Sequence, residues 1–218
     1  MLCIIDYGIG NLRSIEKALQ AVGADVLRSD RPEDIMAADR VVLPGVGAFG
    51  ACADEIRRRN LVDTIHEVVA HGTPLLGVCV GLQLLFDYSD EMGHHKGLGI
   101  IPGRVTRFLH SYATVPAGVE DDEEETPLLK IPHMGWNSIA PQRNSPLMHG
   151  LPESAHFYFV HSYHAIPEVE EDVLAYTHYG IHIPAIVHRN NVFGVQFHPE
   201  KSHNNGLTVL KNFAELNL

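Results

Sequence analysis

The chain has 218 residues, of which 45% are hydrophobic, so a single α/β domain over residues 1–218 can bury a core without disulfides or a structural metal. Its formal net charge is −11, and one uninterrupted acidic run, Glu120 to Glu125, accounts for six of these charges. This balance excludes binding to nucleic acid or to an anionic membrane through overall charge.

The three cysteines are an odd number in a chain too long for a disulfide miniprotein, which indicates a reducing compartment. Cys3 lies in an apolar run and Cys52 in an amphipathic helical pattern, so both are predicted to be inert core residues. No apolar run reaches the roughly 18 residues of a membrane span, and the segment from Met1 to Asp6 lacks the features of a signal peptide. We therefore expect a cytoplasmic protein.

The first half of the chain alternates short apolar runs with helical patterns. A helix with one apolar face is predicted before Gly23, and a longer helical region is predicted from roughly residue 49 to residue 71. The apolar runs are Leu2–Ile5, Val26–Leu27, Val41–Leu43 and Leu75–Val78. Such runs are typical of strands buried on both faces, so we expect an α/β fold with a central, mostly parallel sheet flanked by helices.

The second half reads instead as strands separated by turn residues. The predicted strands are Gly103–Phe108, Trp136–Ile139, His156–Val160, Val173–Tyr179, Ala185–His188 and Val192–Phe197. They indicate additional antiparallel strands, followed by a last helix that carries Leu207, Leu210 and Phe213. The segment from about residue 110 to residue 126 contains the acidic run and almost no core residues, which predicts a solvated, mobile loop inserted in the domain.

A candidate nucleophile lies between Gly77 and Gly81, where a buried strand ends and a helix, predicted over residues 82–86, begins. A sharp strand-to-helix turn requires small residues two before and two after the nucleophile, because side chains there would collide with the backbone. The helix N-terminus would favour a Cys79 thiolate. The N–H of Val80 would then point to the position where an acyl oxyanion develops. The alternative interpretation is a buried structural cysteine.

An attack on an amide also needs an acid that protonates the departing nitrogen. Among the fifteen histidines, His198 is distinguished because it ends an apolar strand and has Glu200 two residues further on. A carboxylate there can orient the imidazole and support its cationic form, as in a catalytic triad. Pro199 fixes the backbone between them. Taken alone, this segment also fits a simple strand end and turn.

Together these two segments resemble the signature of the class I glutamine amidotransferases, from Gly77 to Gln83 and from His198 to Glu200. The resemblance implies the fold of that family and L-glutamine as the substrate. It also implies a nucleophilic Cys79, with His198 as general base and acid and Glu200 as the orienting carboxylate. Gln83 would help to hold the substrate glutamine, and no cofactor or metal is implied.

Further segments are similar to those of amidotransferase subunits of imidazole glycerol phosphate synthases, which act in histidine biosynthesis. These segments are Asp6–Asn11, Pro44–Gly47, Pro132–Asn137 and Tyr158–Tyr163. The resemblance implies a heterodimer with a (β/α)8-barrel cyclase subunit, to which this chain delivers ammonia. The cyclase would bind a phosphoribulosyl-formimino carboxamide ribonucleotide and form imidazole glycerol phosphate and aminoimidazole carboxamide ribonucleotide. The segment around residues 110–126 departs from the family pattern as an insertion.

The resemblance also assigns roles around Val46, whose flanking glycines leave its peptide free to rotate at little cost. The N–H of Val46 would turn inward as a second oxyanion donor beside Val80, so that activity depends on the partner. Gly47 would allow glutamine to approach the backbone closely. An ordinary loop is the alternative interpretation. The candidates for the partner interface are Asn11, Met134, Trp136, Tyr163 and Lys201.

Four other interpretations differ in what they require of the sequence. An amidotransferase for another synthase, such as one making anthranilate, aminodeoxychorismate or pyridoxal phosphate, would share the triad but not the Asp6–Asn11 and Pro132–Asn137 segments. A non-catalytic scaffold would have lost the nucleophile or the histidine. A cysteine protease or γ-glutamyl peptidase would not explain the partner-like segments. The histidine pairs 94/95, 161/164 and 178/182 lack the accompanying ligand spacing of a structural zinc site.

Overall fold

The computed structural model describes residues 1–108 and 129–216 of the chain. The strands in these ranges are β1 (Leu2–Ile5), β2 (Val26–Ser29), β3 (Arg40–Leu43), β4 (Leu75–Val78), β5 (Phe86–Ser89), β6 (His95–Lys96), β7 (Ile101–Arg107), β8 (His133–Ser138), β9 (Ala140–Pro141), β10 (His156–His161), β11 (Tyr163–Pro167), β12 (Val173–Tyr179), β13 (Ile181–Arg189) and β14 (Val192–Val195). The α-helices are α1 (Leu12–Ala21), α2 (Pro32–Met36), α3 (Phe49–Arg58), α4 (Val62–Ala70), α5 (Val80–Leu84) and α6 (His203–Ala214).

The main sheet has the strand order β2-β1-β3-β4-β14-β13-β12-β9 within the described ranges. Its first five strands pair in parallel, and β13, β12 and β9 continue it in antiparallel pairing. Every residue of β1, β4 and β14 is buried, as expected for strands covered on both faces. The prediction of a mostly parallel sheet with added antiparallel strands is therefore confirmed.

The helices follow the apolar patterns of the sequence. The buried side chains Ile15 and Leu19 lie on one face of α1, and the chain leaves this helix through Gly23 at φ +88°. Helix α1 packs on α6, α2 on α4, and α3 on α5. One cluster of buried apolar side chains includes residues from Leu2 through to Leu216, which supports a single domain.

Two smaller sheets lie beside the main one in the described part of the chain. One has the order β11-β7-β5-β6, and the other is the antiparallel pair β8 and β10. Of these strands, β5, β6 and β11 had no counterpart among the predicted elements. The pairing of β8 with β10 places His133 opposite His161 and Trp136 opposite Tyr158.

Two helix predictions need correction. The region predicted as helical from residue 49 to residue 71 is broken between α3 and α4, where Asn60 has φ +56°. The helix predicted over residues 82–86 is α5, which starts at Val80 and ends at Leu84, and Phe86 begins β5. The reason is tertiary, because the N–H groups of residues 97–101 take the carbonyls of residues 84–87 in place of a continuing helix.

The predicted acidic loop around residues 110–126 lies outside the described residues. None of the helices in the described ranges has the length and apolar character needed to cross a bilayer.

Candidate active site

The backbone around Cys79 forms the sharp turn that the sequence predicts. Cys79 follows β4 directly and adopts φ +56° and ψ −110°, a conformation that is strained for a residue with a side chain. A Cβ atom at Gly77 would lie 2.6 Å from the carbonyl oxygen of Gly81, and one at Gly81 would overlap the carbonyl of Leu43. Both positions therefore require glycine, and the turn holds the Cys79 side chain at the carboxyl end of the parallel strands.

His198 and Glu200 form a buried pair beside Cys79. The Nδ1 atom of His198 lies 2.9 Å from Oε1 of Glu200, and both side chains are almost fully buried. Burial alone would lower the pKa of His198, but hydrogen bonds to Cys79 and Glu200, and the charges of these groups, outweigh burial and raise the pKa to about 9. The imidazolium form of His198 is therefore favoured at neutral pH.

The backbone of His198 is held by a serine that sequence reasoning missed. The hydroxyl of Ser202 donates to the carbonyl of His198 at 2.6 Å and accepts the N–H of Tyr158 at 2.9 Å. The N–H of His198 in turn donates to the carbonyl of Tyr158. Ser202 is almost completely buried and thus ties the turn at Pro199–Lys201 to β10. In the sequence, Ser202 lies four residues after His198 and belongs to no recognisable motif.

A cavity of about 360 Å³ opens over Cys79 and His198. The other residues that line it are Val46, Gly47, Val80, Gln83, Glu91, Pro132, Val160, His161, Ser162, Tyr163 and Lys201. The candidate oxyanion and glutamine-binding residues thus meet at the nucleophile. Two of the interface candidates, Tyr163 and Lys201, also line this cavity.

The amide of Gln83 connects the cavity wall with the nucleophile. Its Nε2 atom donates to the carbonyl of Tyr163 and to Oε1 of Gln196, both at 3.1 Å. The Nε2 atom of Gln196 makes a long contact of 3.9 Å with Sγ of Cys79. Gln196 is fully buried. Sequence reasoning missed Gln196, although it lies only two residues before His198 on the extended segment that follows β14.

Glu91 is a further cavity residue that sequence reasoning missed. Its Oε2 atom accepts the N–H of Phe49 at 2.6 Å, which fixes a carboxylate in the wall of the cavity. A carboxylate placed there can bind an ammonium group of a ligand. Glu91 is one of 27 acidic residues in the chain, and it follows a strand that the sequence did not predict. No spacing relative to Cys79 distinguished it.

The segment Pro44–Gly47 is anchored by two buried side chains. The hydroxyl of Tyr7 donates to the carbonyl of Pro44 at 2.7 Å, and Sγ of Cys52 lies 3.4 Å from the carbonyl of Val46. Gly47 has φ +84°, a backbone conformation that favours glycine. Burial raises the pKa of Cys52, and it raises that of Cys3 to about 11, in agreement with the predicted core positions of both residues.

The other interface candidates, Asn11, Met134 and Trp136, do not line this cavity. Met134 and Trp136 are 61% and 47% exposed on one face of β8, and the Trp136 ring stacks on His203 at 4.9 Å. Asn11 precedes α1 and lines a small cavity that also contacts His198 and Glu200. The ammonium group of Lys201 lies 5.7 Å from the centre of the Tyr158 ring. Trp136 and Lys201 thus both lie beside Tyr158 of β10.

Two other features of the described residues bear on the location of the site. A larger cavity of about 820 Å³ is lined by residues between Ile139 and Ala155 and by Asn212, Glu215 and Leu216, and it contains no member of the candidate triad. In residues 1–108 and 129–216, no three His, Cys, Asp or Glu side chains lie close enough together to hold a metal ion.

Known sequences are similar to this chain over nearly its whole length. The family model described as "Glutamine amidotransferase class-I" matches residues 3–216. An "Imidazole glycerol phosphate synthase subunit HisH" of Salinibacter ruber is 56% identical over 216 residues, which are 99% of this chain and 94% of the relative. A protein of the same name from Syntrophotalea carbinolica is 48% identical and is covered completely, with 99% of this chain.

Solved structures share the fold at low sequence identity. A "Crystal structure of glutamine amidotransferase" has a TM-score of 0.69 at 20% identity and covers 99% of both chains. The "Structure of PurLQS from Thermotoga maritima" has a TM-score of 0.70 at 16% identity and covers 97% of this chain and 96% of the other. These likenesses concern the fold alone, and they agree with the predicted fold class.

Proposed function

Since this chain belongs to the class I glutamine amidotransferases, and within them to the subunits of imidazole glycerol phosphate synthase, we propose that Cys79, His198 and Glu200 are its catalytic triad. The chain is a glutamine amidotransferase of histidine biosynthesis. The observation that carries the assignment of the triad is the 2.9 Å bond between His198 and Glu200 beside the strained turn of Cys79. All three side chains are buried, and Cys79 and His198 line the cavity.

In the proposed reaction, the Cys79 thiolate attacks the side-chain carboxamide carbon of glutamine. The N–H groups of Val80 and Val46 stabilise the oxyanion that forms. His198 gives its proton to the departing nitrogen, which leaves as ammonia, and a γ-glutamyl thioester remains on Cys79. His198 then takes a proton from water, whose oxygen attacks the thioester. Collapse of this second intermediate releases glutamate and restores the thiolate, while Glu200 orients the imidazole in both steps.

In this proposal, residues that line the same cavity bind the substrate glutamine. The amide oxygen of Gln83 makes no hydrogen bond among the described residues, so it can accept one from the substrate. The Glu91 carboxylate provides the negative charge that an α-ammonium group requires. Gly47 lacks a side chain at the cavity wall and allows close approach of the substrate to the backbone.

The name of the relatives as subunits implies a partner subunit, and the proposed partner is a (β/α)8-barrel cyclase that forms a heterodimer with this chain. The ammonia passes to this cyclase, which converts the formimino carboxamide ribonucleotide described above. The proposed docking surface consists of Asn11, Met134, Trp136, Tyr163 and Lys201. Tyr163 and Lys201 line the cavity, and Met134 and Trp136 are exposed large apolar side chains, which are typical of an interface. A cytoplasmic location and a single domain are part of the same proposal.

The decisive experiment measures glutamate release from glutamine by the purified chain, first alone and then with a histidine-pathway cyclase and its nucleotide ligand. We expect strong activation by the partner, because the second oxyanion donor, Val46, then turns inward. Removal of one such donor costs about 10²–10³-fold in rate. High activity of the chain alone would indicate a free-standing hydrolase instead. Activation only by a different synthase would contradict the proposed partner.

A further inference from the structure

A pair of buried histidines adjoins the cavity over Cys79, and the proposed reaction does not use their side chains. His133 is on β8 and His161 is at the end of β10, and the two residues are directly opposite in the antiparallel ladder. Both side chains are buried, and the Nδ1 atom of His133 lies 3.0 Å from Nε2 of His161. His161 also lines the cavity.

The partners of His161 fix the direction of the hydrogen bonds. Its Nδ1 atom lies 2.8 Å from the carbonyl oxygen of Tyr163, which can only accept, so Nδ1 must carry a proton. In a neutral imidazole the other nitrogen then has no proton, and Nε2 of His161 must accept. The bond between the two rings is therefore donated by Nδ1 of His133.

The same reasoning extends to Asn137. With Nδ1 protonated, the Nε2 atom of a neutral His133 is an acceptor, and it lies 3.2 Å from Nδ2 of Asn137. The orientation of this amide is fixed independently, because Nδ2 donates to the carbonyl of His178 and Oδ1 accepts the N–H of Ser138, both at 2.9 Å. Each bond thus has one donor and one acceptor, running from Asn137 through His133 and His161 to the carbonyl of Tyr163.

This arrangement exists only while both rings are neutral. A proton added to either ring would place two donors face to face at one of the bonds. The rings are packed against Phe108, Phe159 and Tyr179. Burial lowers the pKa of His133 to about 4. The pKa of His161 is lowered to about 3. Burial is the largest cause, and electrostatic interactions with the neighbouring histidines 133, 164 and 198 lower the pKa further.

The carbonyl of Tyr163 connects this chain of bonds with the substrate site. It accepts from Nδ1 of His161 and from Nε2 of Gln83, which uses both of its lone pairs. The second proton on Nε2 of Gln83 goes to Gln196. Both protons of the Gln83 amide are therefore taken, and its oxygen is left as the group presented to a ligand.

We propose that His133 and His161 are positioning residues for glutamine binding, acting through the Tyr163 carbonyl to hold the Gln83 amide with its oxygen towards the substrate. The inference rests on the proposed function, because it concerns the binding of the same glutamine. It assigns a reason to two buried polar side chains that lie opposite each other in the sheet beside the cavity.

The kinetic test compares His133→Leu with His133→Asn in the complex with the cyclase. Leucine removes the donor to His161, whereas the Nδ2 atom of asparagine can take the place of Nδ1 and donate. We expect KM for glutamine to rise about tenfold in the leucine variant, as for the loss of one neutral hydrogen bond. In the asparagine variant it should stay within about threefold of the original value. Turnover with added ammonium should be unchanged in both.

Which of the two variants has the higher KM for glutamine distinguishes this positioning role from a packing role. Asparagine fills the site less well than leucine, so a packing role would make the asparagine variant the worse of the two. Equal KM values for the original chain and a folded leucine variant would overturn the proposal, as would a parallel loss of ammonium-dependent turnover. His164→Gln is the control, because His164 is also buried against Phe108 but lies outside the chain of bonds.

A second measurement on the unaltered chain needs neither variants nor turnover. Nitrogen-15 NMR of labelled histidine rings should find His133 and His161 neutral and protonated on Nδ1 between pH 5 and pH 8. A cationic ring, or protonation on Nε2 in either residue, would overturn the proposal even if the variants fail to fold. An original complex that lacks glutaminase activity but has these tautomers would contradict the proposed function and not the hydrogen-bond order.

Discussion

At the scale of single residues, the site depends on how a charged imidazole is kept inside the protein. His198 is almost fully buried, and burial by itself opposes a charge on its ring. Its bonds to Glu200 and Cys79 reverse this preference. His133 and His161, which lack a carboxylate partner among the described residues, show the opposite shift in pKa. Neighbouring histidines thus differ in charge because of their partners and not because of their exposure.

Replacement of Cys79 tests the nucleophile. We expect Cys79→Ser to retain the fold, since serine is smaller and fits the same turn, and to lose at least about 10³-fold of glutamine-dependent turnover. Turnover of the complex with added ammonium should be unchanged, because the ammonia is then supplied from solution. A parallel loss of both activities would assign Cys79 to structure or assembly. Cys3→Ser is the matched control, because Cys3 is a buried cysteine of β1 that does not line the cavity.

The raised pKa of His198 has a consequence for stability. A group whose pKa is higher in the folded state stabilises the fold fully below its unfolded pKa and loses this contribution as the pH rises. For His198 the window runs from about pH 6.5 to about pH 9. The free energy of unfolding, measured by chemical denaturation, should therefore fall across this window by at most about 3 kcal/mol. His198→Asn should remove this part of the pH dependence, and an unchanged dependence would contradict the charged pair.

At the scale of the elements, the parallel strands could be predicted from the sequence because their apolar runs are buried on both faces. The residues of the proposed triad could be selected from the sequence for a similar reason, since Cys79 and the pair His198 and Glu200 each lie in a short local pattern. The position of Glu91 could not be predicted, because it depends on β5. Strand β5 forms where the N–H groups of residues 97–101 bond to carbonyls that a longer α5 would have used. Such long-range competition leaves no local signal.

The close approach of the turn to β3 gives a second prediction about stability. Gly81→Ala should destabilise the fold by about 3 kcal/mol, because the added methyl group would overlap the carbonyl of Leu43. Gly72→Ala is the control, since its Cβ would meet open space and only its φ of +79° is unfavourable, at about 1–2 kcal/mol. Chemical denaturation compares the two. A Gly81 variant as stable as the Gly72 variant would mean that the turn can relax.

At the scale of the whole molecule, the cavity and the exposed apolar side chains of the proposed docking surface lie on neighbouring strands. Residues at even positions of β8, Met134 and Trp136, are exposed, whereas His133 is buried on the other side. The neighbouring strand β10 leads directly into the wall of the cavity at Val160 and His161. Docking of a partner on β8 would thus occur within one strand of the substrate site.

Replacement of Trp136 tests the docking surface. We expect Trp136→Ala to weaken binding of the cyclase by about 2 kcal/mol or more, as for a buried aromatic anchor of an interface, without a change in the fold. Titration calorimetry gives the affinity, and circular dichroism checks the fold. His66→Ala is the control, because His66 is an exposed ring on α4, which packs on α2. Equal affinities of the two variants would place the interface elsewhere.

The alternation along β8 separates two kinds of evolutionary change. A substitution at Met134 or Trp136 alters a side chain that points to solvent, while His133, on the other side of the same strand, keeps its bond to His161. The preference for a partner can therefore change in evolution, or be redesigned, while the hydrogen bonds proposed to position the glutamine-binding residues stay as they are. The two faces of β8 can therefore change independently, and a change of partner within this family need not begin with a loss of glutaminase activity.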